Sequence, residues 1–271
     1  MNLVDATILG AIQGLTEFLP ISSSGHLVIF QAILGLKEPL LLFDTVVHAG
    51  TLTAVVGYFW KDLRQIALDT FHFMLSSNTD NRKHMPPGVL MALWILVGSI
   101  PTAVIGLLFK GPLEKMFTSL PAVGLALLFT ALLLLISKFI PPQYTRRSQV
   151  GWLPALIIGI AQGLAIIPGL SRSGATIVGG LLCGINRELA GRFSFLLSIP
   201  AIVGALMLEV IASDMQDMPV ELLLAGYAIS FLVGFLSLKV LMFMVKRGSL
   251  FWFAPYCFGL GLIALWTSFG G

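Results

Sequence analysis

Three side chains that could take part in nucleophilic chemistry lie in one apolar stretch of the chain, GLTEFLPISSSGHLVIF at residues 14–30. Glu17, Ser23 and His26 are a carboxylate, a hydroxyl and an imidazole, which together can supply a nucleophile and move protons. Gln13 lies four residues before Glu17, on the same face of a helix. A charge at the centre of a membrane span costs about 2.5 to 3.5 kcal/mol, so we expect Glu17 to be functional.

A second polar group lies in PGLSRSGAT, at residues 168–176. Arg172 is central to it, because a guanidinium can hold two phosphate oxygens at once. The hydroxyls and glycines around it are Ser171, Ser173, Gly174 and Thr176. A helix that starts after the loop would add amides that bind anions. The pattern predicts a phosphate-binding loop; the alternatives are ordinary helix packing and a structural ion pair with Glu17.

The two loops belong to an internal repeat. Residues 10–26 and 159–175 align without a gap at an offset of 149, with seven of seventeen positions identical. The identical pairs include Ser22/Ser171 and Gly25/Gly174, and the differing pairs include Glu17/Ile166, Ser23/Arg172 and His26/Ala175. A weaker LVG match relates residues 96–98 to residues 232–234. Broken segments of repeated membrane units commonly meet at a binding site, so we predict one site that includes Ser22 and Gly25.

The elements that hold these loops are membrane helices. The chain of 271 residues is 57% hydrophobic and 11% charged, with a mean hydropathy of +0.95, whereas a soluble domain carries about 25% charged residues. Six apolar stretches come close to the roughly 20 residues that cross a bilayer. They are Phe43–Trp60, Pro86–Phe109, Ser119–Ile136, Phe193–Ala212, Leu222–Val245 and Leu250–Gly271. Two further apolar regions, Leu3–Leu36 and Leu153–Ile185, are interrupted by Pro, Gly and Ser.

Basic residues predict which loops face the cytoplasm, because Lys and Arg are enriched on that side. Eleven of the sixteen Lys and Arg residues fall into four groups: Lys61, Arg64, Arg82 and Lys83; Lys138, Arg146 and Arg147; Arg187 and Arg192; Lys246 and Arg247. The charged residues of the alternate loops are Lys37, Lys110, Lys115, Asp214, Asp217 and Glu221. If the six spans cross the membrane in alternating directions, each interrupted region must return to the side from which it enters.

The predicted fold is an all-α polytopic membrane protein with a single integral membrane domain over residues 1–271. It consists of two inverted-topology repeats, each a re-entrant helical hairpin plus three transmembrane helices. Repeat one covers about 1–140 with its hairpin at 3–36, and repeat two about 150–271 with its hairpin at 151–188. A unit with an odd number of crossings is inserted upside down when it is duplicated. No basic residue precedes the first apolar run, so we expect no cleaved secretory signal.

Additional candidates surround Glu17. A carboxylate that faces a phosphate suits a divalent cation, Mg²⁺ or Ca²⁺, because both take oxygen ligands. Glu17 is the predicted metal ligand, and Gln13 is a secondary candidate. Asp44 and His48 in FDTVVHAGT are spaced i, i+4 at the start of a span and are further secondary candidates for the site.

At the two loops the chain resembles the undecaprenyl pyrophosphate phosphatases, also known for bacitracin resistance. QGLTEFLPISSSGH at residues 13–26 and PGLSRSGAT at residues 168–176 carry the resemblance, which covers essentially the whole chain. It implies a multi-pass enzyme of the bacterial inner membrane, a phosphoric anhydride hydrolase, that removes the terminal phosphate of undecaprenyl diphosphate. That reaction recycles the lipid carrier for peptidoglycan synthesis.

The resemblance also implies a divalent cation and a site that opens towards the periplasmic side. The functional residues that it implies are Glu17, Ser23, His26, Ser171, Arg172, Ser173 and Thr176. Some family members carry a second glutamate where this chain has Gln13, so a scheme that needs two carboxylates from this helix does not apply directly. The expected partners are the polyprenyl substrate and membrane lipids, with no nucleic acid; a homodimer is left open.

The working hypothesis has the Arg172 loop bind the diphosphate, Ser23 attack the terminal phosphorus and His26 shuttle the proton. His26 as the nucleophile is the alternative. A transporter or flippase for an anionic lipid is the rival function, because broken helices in inverted repeats are typical of alternating access. A structural scaffold would leave Glu17, His26 and Arg172 without a role.

Overall fold

The computed structural model describes residues 1–36, 40–75, 85–109, 111–112, 116, 119–212 and 218–269. Within them the chain is helical, with one isolated bridge between Arg147 and Ile185 and no strand. The helices are α1 (Leu3–Phe18), α2 (Ser23–Ile33), α3 (Leu41–Tyr58), α4 (Trp60–Leu75), α5 (Pro87–Leu108), α6 (Leu120–Phe139), α7 (Trp152–Leu164), α8 (Arg172–Leu182), α9 (Arg187–Ala212), α10 (Val220–Arg247) and α11 (Ala254–Phe269). Among the charges used to predict topology, Lys37, Arg82, Lys83, Lys110, Lys115, Asp214 and Asp217 lie outside the described residues.

Six helical segments are long and apolar enough to cross a membrane, as predicted. They are Leu41–Tyr58, Pro87–Leu108, Leu120–Phe139, Arg187–Glu209, Val220–Arg247 and Leu250–Ser268. Large apolar side chains such as Ile100, Leu108 and Trp266 are more than half exposed on their outer faces. A surface of that kind is stable in lipid, so the chain is a multi-pass membrane protein.

The two interrupted regions form helix pairs, α1 with α2 and α7 with α8. With 11 residues each, α2 and α8 rise only about 16 Å, roughly half of the hydrocarbon thickness. Three boundaries match at an offset of 149: the starts of α1 and α7, the starts of α2 and α8, and the ends of α2 and α8. The repeat found in the sequence is therefore also a repeat of helix boundaries.

Each helix pair packs against a span from the other half of the chain: α1 against α10, and α7 against α5. Glycines allow this close approach, because a Cβ on Gly10 would lie 2.8 Å from the Gly226 carbonyl oxygen. A Cβ on Gly159 would likewise clash with Gly98. Gly98 and Gly226 are 128 residues apart, so these contacts do not follow the offset of 136 given by the LVG match.

Helix α4 was not predicted from the sequence. It follows α3 after a break at Phe59, and none of its residues is buried. Asp69 accepts a hydrogen bond from the Gly88 amide at 2.9 Å, at the start of α5, and Asp62 forms an ion pair with Arg192 of α9. This exposed helix therefore connects the ends of two spans on the face predicted to be cytoplasmic.

Candidate active site

Glu17 is the residue around which the candidate site is built. It lies in the last turn of α1 and is 8% exposed. Its Oε1 forms an ion pair with Nη2 of Arg172, while Oε2 accepts hydrogen bonds from Ser23 Oγ at 2.6 Å and from Gln13 Nε2 at 3.1 Å. His48 Nε2 lies 3.8 Å from the same Oε2. One carboxylate thus joins a hydroxyl from the first loop to a guanidinium from the second.

Ser22 holds the two loops together. It is the only described residue other than glycine with a positive φ, at 70°, a conformation that costs on the order of 1 to 3 kcal/mol. Its Oγ accepts a hydrogen bond from the Gly169 amide at 3.1 Å, and its carbonyl oxygen lies 2.7 Å from His26 Nδ1. The predicted meeting of the loops is therefore a direct contact, and it accounts for the unusual backbone of Ser22.

Two helix N-termini converge at the site, because α2 begins at Ser23 and α8 begins at Arg172. Helix N-termini attract anions through their free amides and their dipoles. Gly25 lies in the first turn of α2. Nη1 of Arg172 is buried and has no hydrogen-bond partner in the described part of the chain. This donor is available to a phosphate oxygen.

The hydroxyls beside Arg172 are all used within the protein. Ser171 Oγ accepts from the Gly174 amide at 3.1 Å and lies 3.2 Å from Ser173 Oγ. Thr176 donates to the carbonyl oxygen of Arg172 at 2.7 Å and is fully buried. These contacts cap and pack α8, so they orient Arg172. Direct substrate contact by the three hydroxyls stays a prediction.

His26 is bonded on both ring nitrogens. Besides the Ser22 contact, its Nε2 lies 2.6 Å from the hydroxyl of Tyr256 on α11. Tyr256 was missed in the sequence, because it lies 230 residues away and no motif marks it. Within the described contacts His26 bonds neither Ser23 nor Glu17, so the hydroxyl of Ser23 faces a carboxylate instead of the imidazole.

The secondary candidates Asp44 and His48 separate in the structure. His48 Nδ1 donates to the carbonyl oxygen of Asp44 at 2.7 Å, which leaves Nε2 directed at Glu17. The Asp44 carboxylate instead accepts from Gln31 Nε2 at 2.8 Å. His48 therefore adjoins the site, while the contacts of the Asp44 side chain lie away from Glu17.

A divalent cation would need oxygen ligands here. Among the described residues, no group of three or more His, Cys, Asp or Glu could hold a metal ion by itself. Gln13 Oε1 is buried beside Glu17 and has no hydrogen-bond partner in the described contacts. One carboxylate and one neutral oxygen fit a cation that is shared with substrate phosphates, a common arrangement for Mg²⁺.

Comparison with known proteins gives a consistent result. A family model described as bacitracin resistance protein BacA matches residues 6–263. An undecaprenyl-diphosphatase of Desulfatibacillum aliphaticivorans is 44% identical, over 99% of this chain and 100% of that protein. Proteins of the same name from Methanosphaera stadtmanae and Desulfosudis oleivorans are 43% and 45% identical, each over 98% of both chains. The matches include both loops of the site.

Proposed function

The chain belongs to the family of the bacitracin resistance protein BacA, and on that basis we propose that it hydrolyses undecaprenyl diphosphate to undecaprenyl phosphate and inorganic phosphate. It is a membrane phosphatase that recycles the lipid carrier for cell-wall synthesis. One observation carries the assignment to this site: Glu17 contacts both Ser23 and Arg172. The proposed nucleophile, the proposed base and the phosphate-binding guanidinium therefore meet across the two loops.

The proposed architecture is two inverted-topology repeats with re-entrant hairpins at 3–36 and 151–188, in one domain over residues 1–271. Repeat one covers about 1–140 and repeat two about 150–271. The matched helix boundaries support the repeat, and the packing of α1 on α10 and of α7 on α5 supports a twofold relation between the halves. Three spans follow each hairpin, and this odd number supports inversion.

The proposed location is the bacterial inner membrane, with the site open to the periplasmic side. Basic residues at the opposite ends of the spans, such as Lys138 and Arg146, support this orientation. A cysteine introduced at the exposed position of Arg146 should react with an impermeant thiol reagent only from the cytoplasmic side. Reaction from the outside would contradict the orientation.

Arg172 is the proposed ligand of the terminal phosphate. Its Nη2 is paired with Glu17, and its buried Nη1 is available to a phosphate oxygen. The N-termini of α2 and α8 add a positive potential at the same place. A divalent cation, Mg²⁺ or Ca²⁺, would be held by Glu17 and Gln13 together with the substrate, and it would neutralise negative charge on the phosphates.

Ser23 is the proposed nucleophile, and Glu17 is the base. Glu17 takes the hydroxyl proton as Oγ of Ser23 attacks the terminal phosphorus. The Oγ–P bond forms, the bond from that phosphorus to the bridging oxygen breaks, and undecaprenyl phosphate leaves. Water then attacks the phosphoserine, Glu17 returns its proton to the departing Oγ, and both water protons stay with the inorganic phosphate.

His26 as the nucleophile is the less favoured alternative. Neither ring nitrogen is directed at the phosphate-binding side chain of Arg172 within the described contacts, because one is bonded to Ser22 and the other to Tyr256. The proposal therefore assigns the first proton transfer to Glu17 and not to His26.

The deciding experiment uses purified protein with undecaprenyl diphosphate that is radiolabelled in the terminal phosphate, in detergent with Mg²⁺ or Ca²⁺. We expect released inorganic phosphate and, after a rapid quench, transient label on Ser23. Absence of phosphate release would contradict the hydrolase and favour the transporter, whereas label on His26 would contradict only the assigned nucleophile.

In the same assay, Arg172→Lys keeps the charge but loses the planar fork, so phosphate release should fall at least about tenfold, or about 1.4 kcal/mol. Arg146→Lys, at an exposed position outside the site, is the matched control and should retain activity. Near-wild-type activity of Arg172→Lys would contradict the proposed role of Arg172, in which Nη2 pairs with Glu17 while Nη1 binds a phosphate oxygen.

A further inference from the structure

The ring of His26 is held in one tautomer by its surroundings. Its Nδ1 lies 2.7 Å from the carbonyl oxygen of Ser22. A carbonyl oxygen only accepts hydrogen bonds, so Nδ1 carries the proton. The neutral ring then has its lone pair on Nε2, where the hydroxyl of Tyr256 lies at 2.6 Å. Tyr256 is therefore the donor in this contact, and Nε2 is the acceptor.

Tyr256 is itself held against the first loop. It lies in the first turn of α11, and its ring stacks on that of His26, with centroids 5.7 Å apart and planes 15° apart. The next residue, Cys257, donates from Sγ to the Pro20 carbonyl oxygen at 3.4 Å. Two consecutive residues of α11 thus contact the first helix pair, Tyr256 at α2 and Cys257 at the segment that connects α1 to α2.

We propose that Tyr256 is a positioning residue for His26: its hydroxyl donates to Nε2 and holds the ring in place, while the Ser22 carbonyl oxygen keeps Nδ1 protonated. This inference rests on the proposed function, since it concerns the histidine of the same site. Because His26 donates to the carbonyl oxygen of Ser22, the residue before Ser23, the last helix then helps to position the proposed nucleophile without contact to the reacting atoms. Both hairpins and α11 are needed to complete the site.

The test is Tyr256→Phe, which keeps the stacked ring and removes only the hydroxyl. Losing this hydrogen bond should lower kcat about tenfold and leave KM within about twofold, because substrate binding depends on Arg172. Tyr227→Phe is the matched control, because it removes a hydroxyl that lies 2.8 Å from Thr53 Oγ1, between α10 and α3. We expect the control to keep the wild-type kcat.

A spectroscopic measurement separates this inference from the proposed function. The chain has four histidines, so ¹⁵N-imidazole spectra can be assigned by comparison with His26→Asn. Tyr256→Phe should shift the Nε2 resonance of His26 and leave Nδ1 protonated. This outcome can be read even if the wild type released no phosphate. An unchanged Nε2 resonance would overturn the proposal.

A double-mutant cycle excludes a purely structural role. If Tyr256 acts through His26, then Tyr256→Phe should have no further effect on kcat when His26 is already alanine. An equal, additive loss in that background would show that Tyr256 supports the fold or another residue, and would overturn the proposal. The cycle also applies if the single Tyr256 variant is less stable.

Discussion

The two hairpins share one backbone plan and differ in their chemistry. In both, the second helix is 11 residues long and begins at a matched position, Ser23 in one and Arg172 in the other. The first helices differ, because α1 continues to Phe18 whereas α7 ends at Leu164, three matched positions earlier. Glu17 therefore lies on a helix that directs it at the centre of the site, and the matching Ile166 lies in a loop.

Under the proposed function, this difference divides the reaction between the two helix pairs. The first copy carries the proposed nucleophile and base, and the second carries Arg172, the proposed ligand of the phosphate. The same backbone position, the first residue of the second helix, provides Ser23 in one copy and Arg172 in the other. Because both helix N-termini attract anions, the proposed site would hold a phosphate between them, and each copy would need only part of the chemistry.

The largest expected effect comes from removing the negative charge of Glu17, which joins the first helix pair to Arg172 of the second. Glu17→Gln keeps the shape of the side chain but weakens the bond to Arg172 and removes the base for Ser23. Phosphate release should fall by about 10²- to 10⁴-fold, measured with protein that elutes as a single species in detergent. Glu188→Gln, an exposed carboxylate bonded to Lys246 at 2.8 Å, is the control and should stay near wild type. A loss below tenfold at Glu17 would contradict the division of roles.

An intermediate effect is expected where the copies are alike. Gly10→Ala and Gly159→Ala each place a Cβ against the backbone of the other half. Each should destabilise the protein by about 1 to 3 kcal/mol, which lowers the thermal transition by about 2 to 4 °C per kcal/mol.

Gly204→Ala on α9 is the control for both glycines, since no heavy atom of the described residues lies within 4 Å of the added Cβ. It should be neutral or slightly stabilising, because alanine favours a helix over glycine. If only one of the two hairpin variants lost stability, the view of a shared packing plan would be wrong.

The six spans and the repeated helix pairs are the part of the fold that could be predicted from the sequence. Uncharged stretches of about 20 residues marked the six spans, and the repeat related the two loops, because these features depend on local composition. The meeting of the two loops followed from that relation, whereas the ion pair between Glu17 and Arg172 was predicted only as a structural alternative. The exposed helix α4 was missed, because it lacks the apolar run by which spans were recognised.

The remaining site residues depend on packing that spacing does not show. Tyr256 contacts His26 only because the fold places α11 next to α2, although the two residues are 230 positions apart in the sequence. Thr176 belongs to the anion-binding pattern in the sequence, yet its hydroxyl bonds the backbone of Arg172. Whether a hydroxyl faces a ligand or its own helix is decided by the rotamer and its neighbours, which a sequence motif cannot specify.

The smallest effect is expected at a position that the two copies share. Gln13 and Gln162 are matched residues, but Gln13 Nε2 donates to Glu17, whereas Gln162 Nε2 donates to Thr102 Oγ1 at 3.3 Å. Gln13→Leu should therefore lower phosphate release about tenfold with little change in stability, because it removes a hydrogen bond to a charged group.

Gln162→Leu should have the opposite profile. It removes two neutral hydrogen bonds, to Thr102 on α5 and to the carbonyl oxygen of Leu197 on α9, so the stability should fall by about 1 to 3 kcal/mol while phosphate release stays within about threefold. Thermal unfolding and the phosphate assay on both variants make the comparison complete. Equal losses of activity at Gln13 and Gln162 would mean that the second hairpin contributes more than Arg172 to the chemistry, and the proposed division between the copies would have to be redrawn.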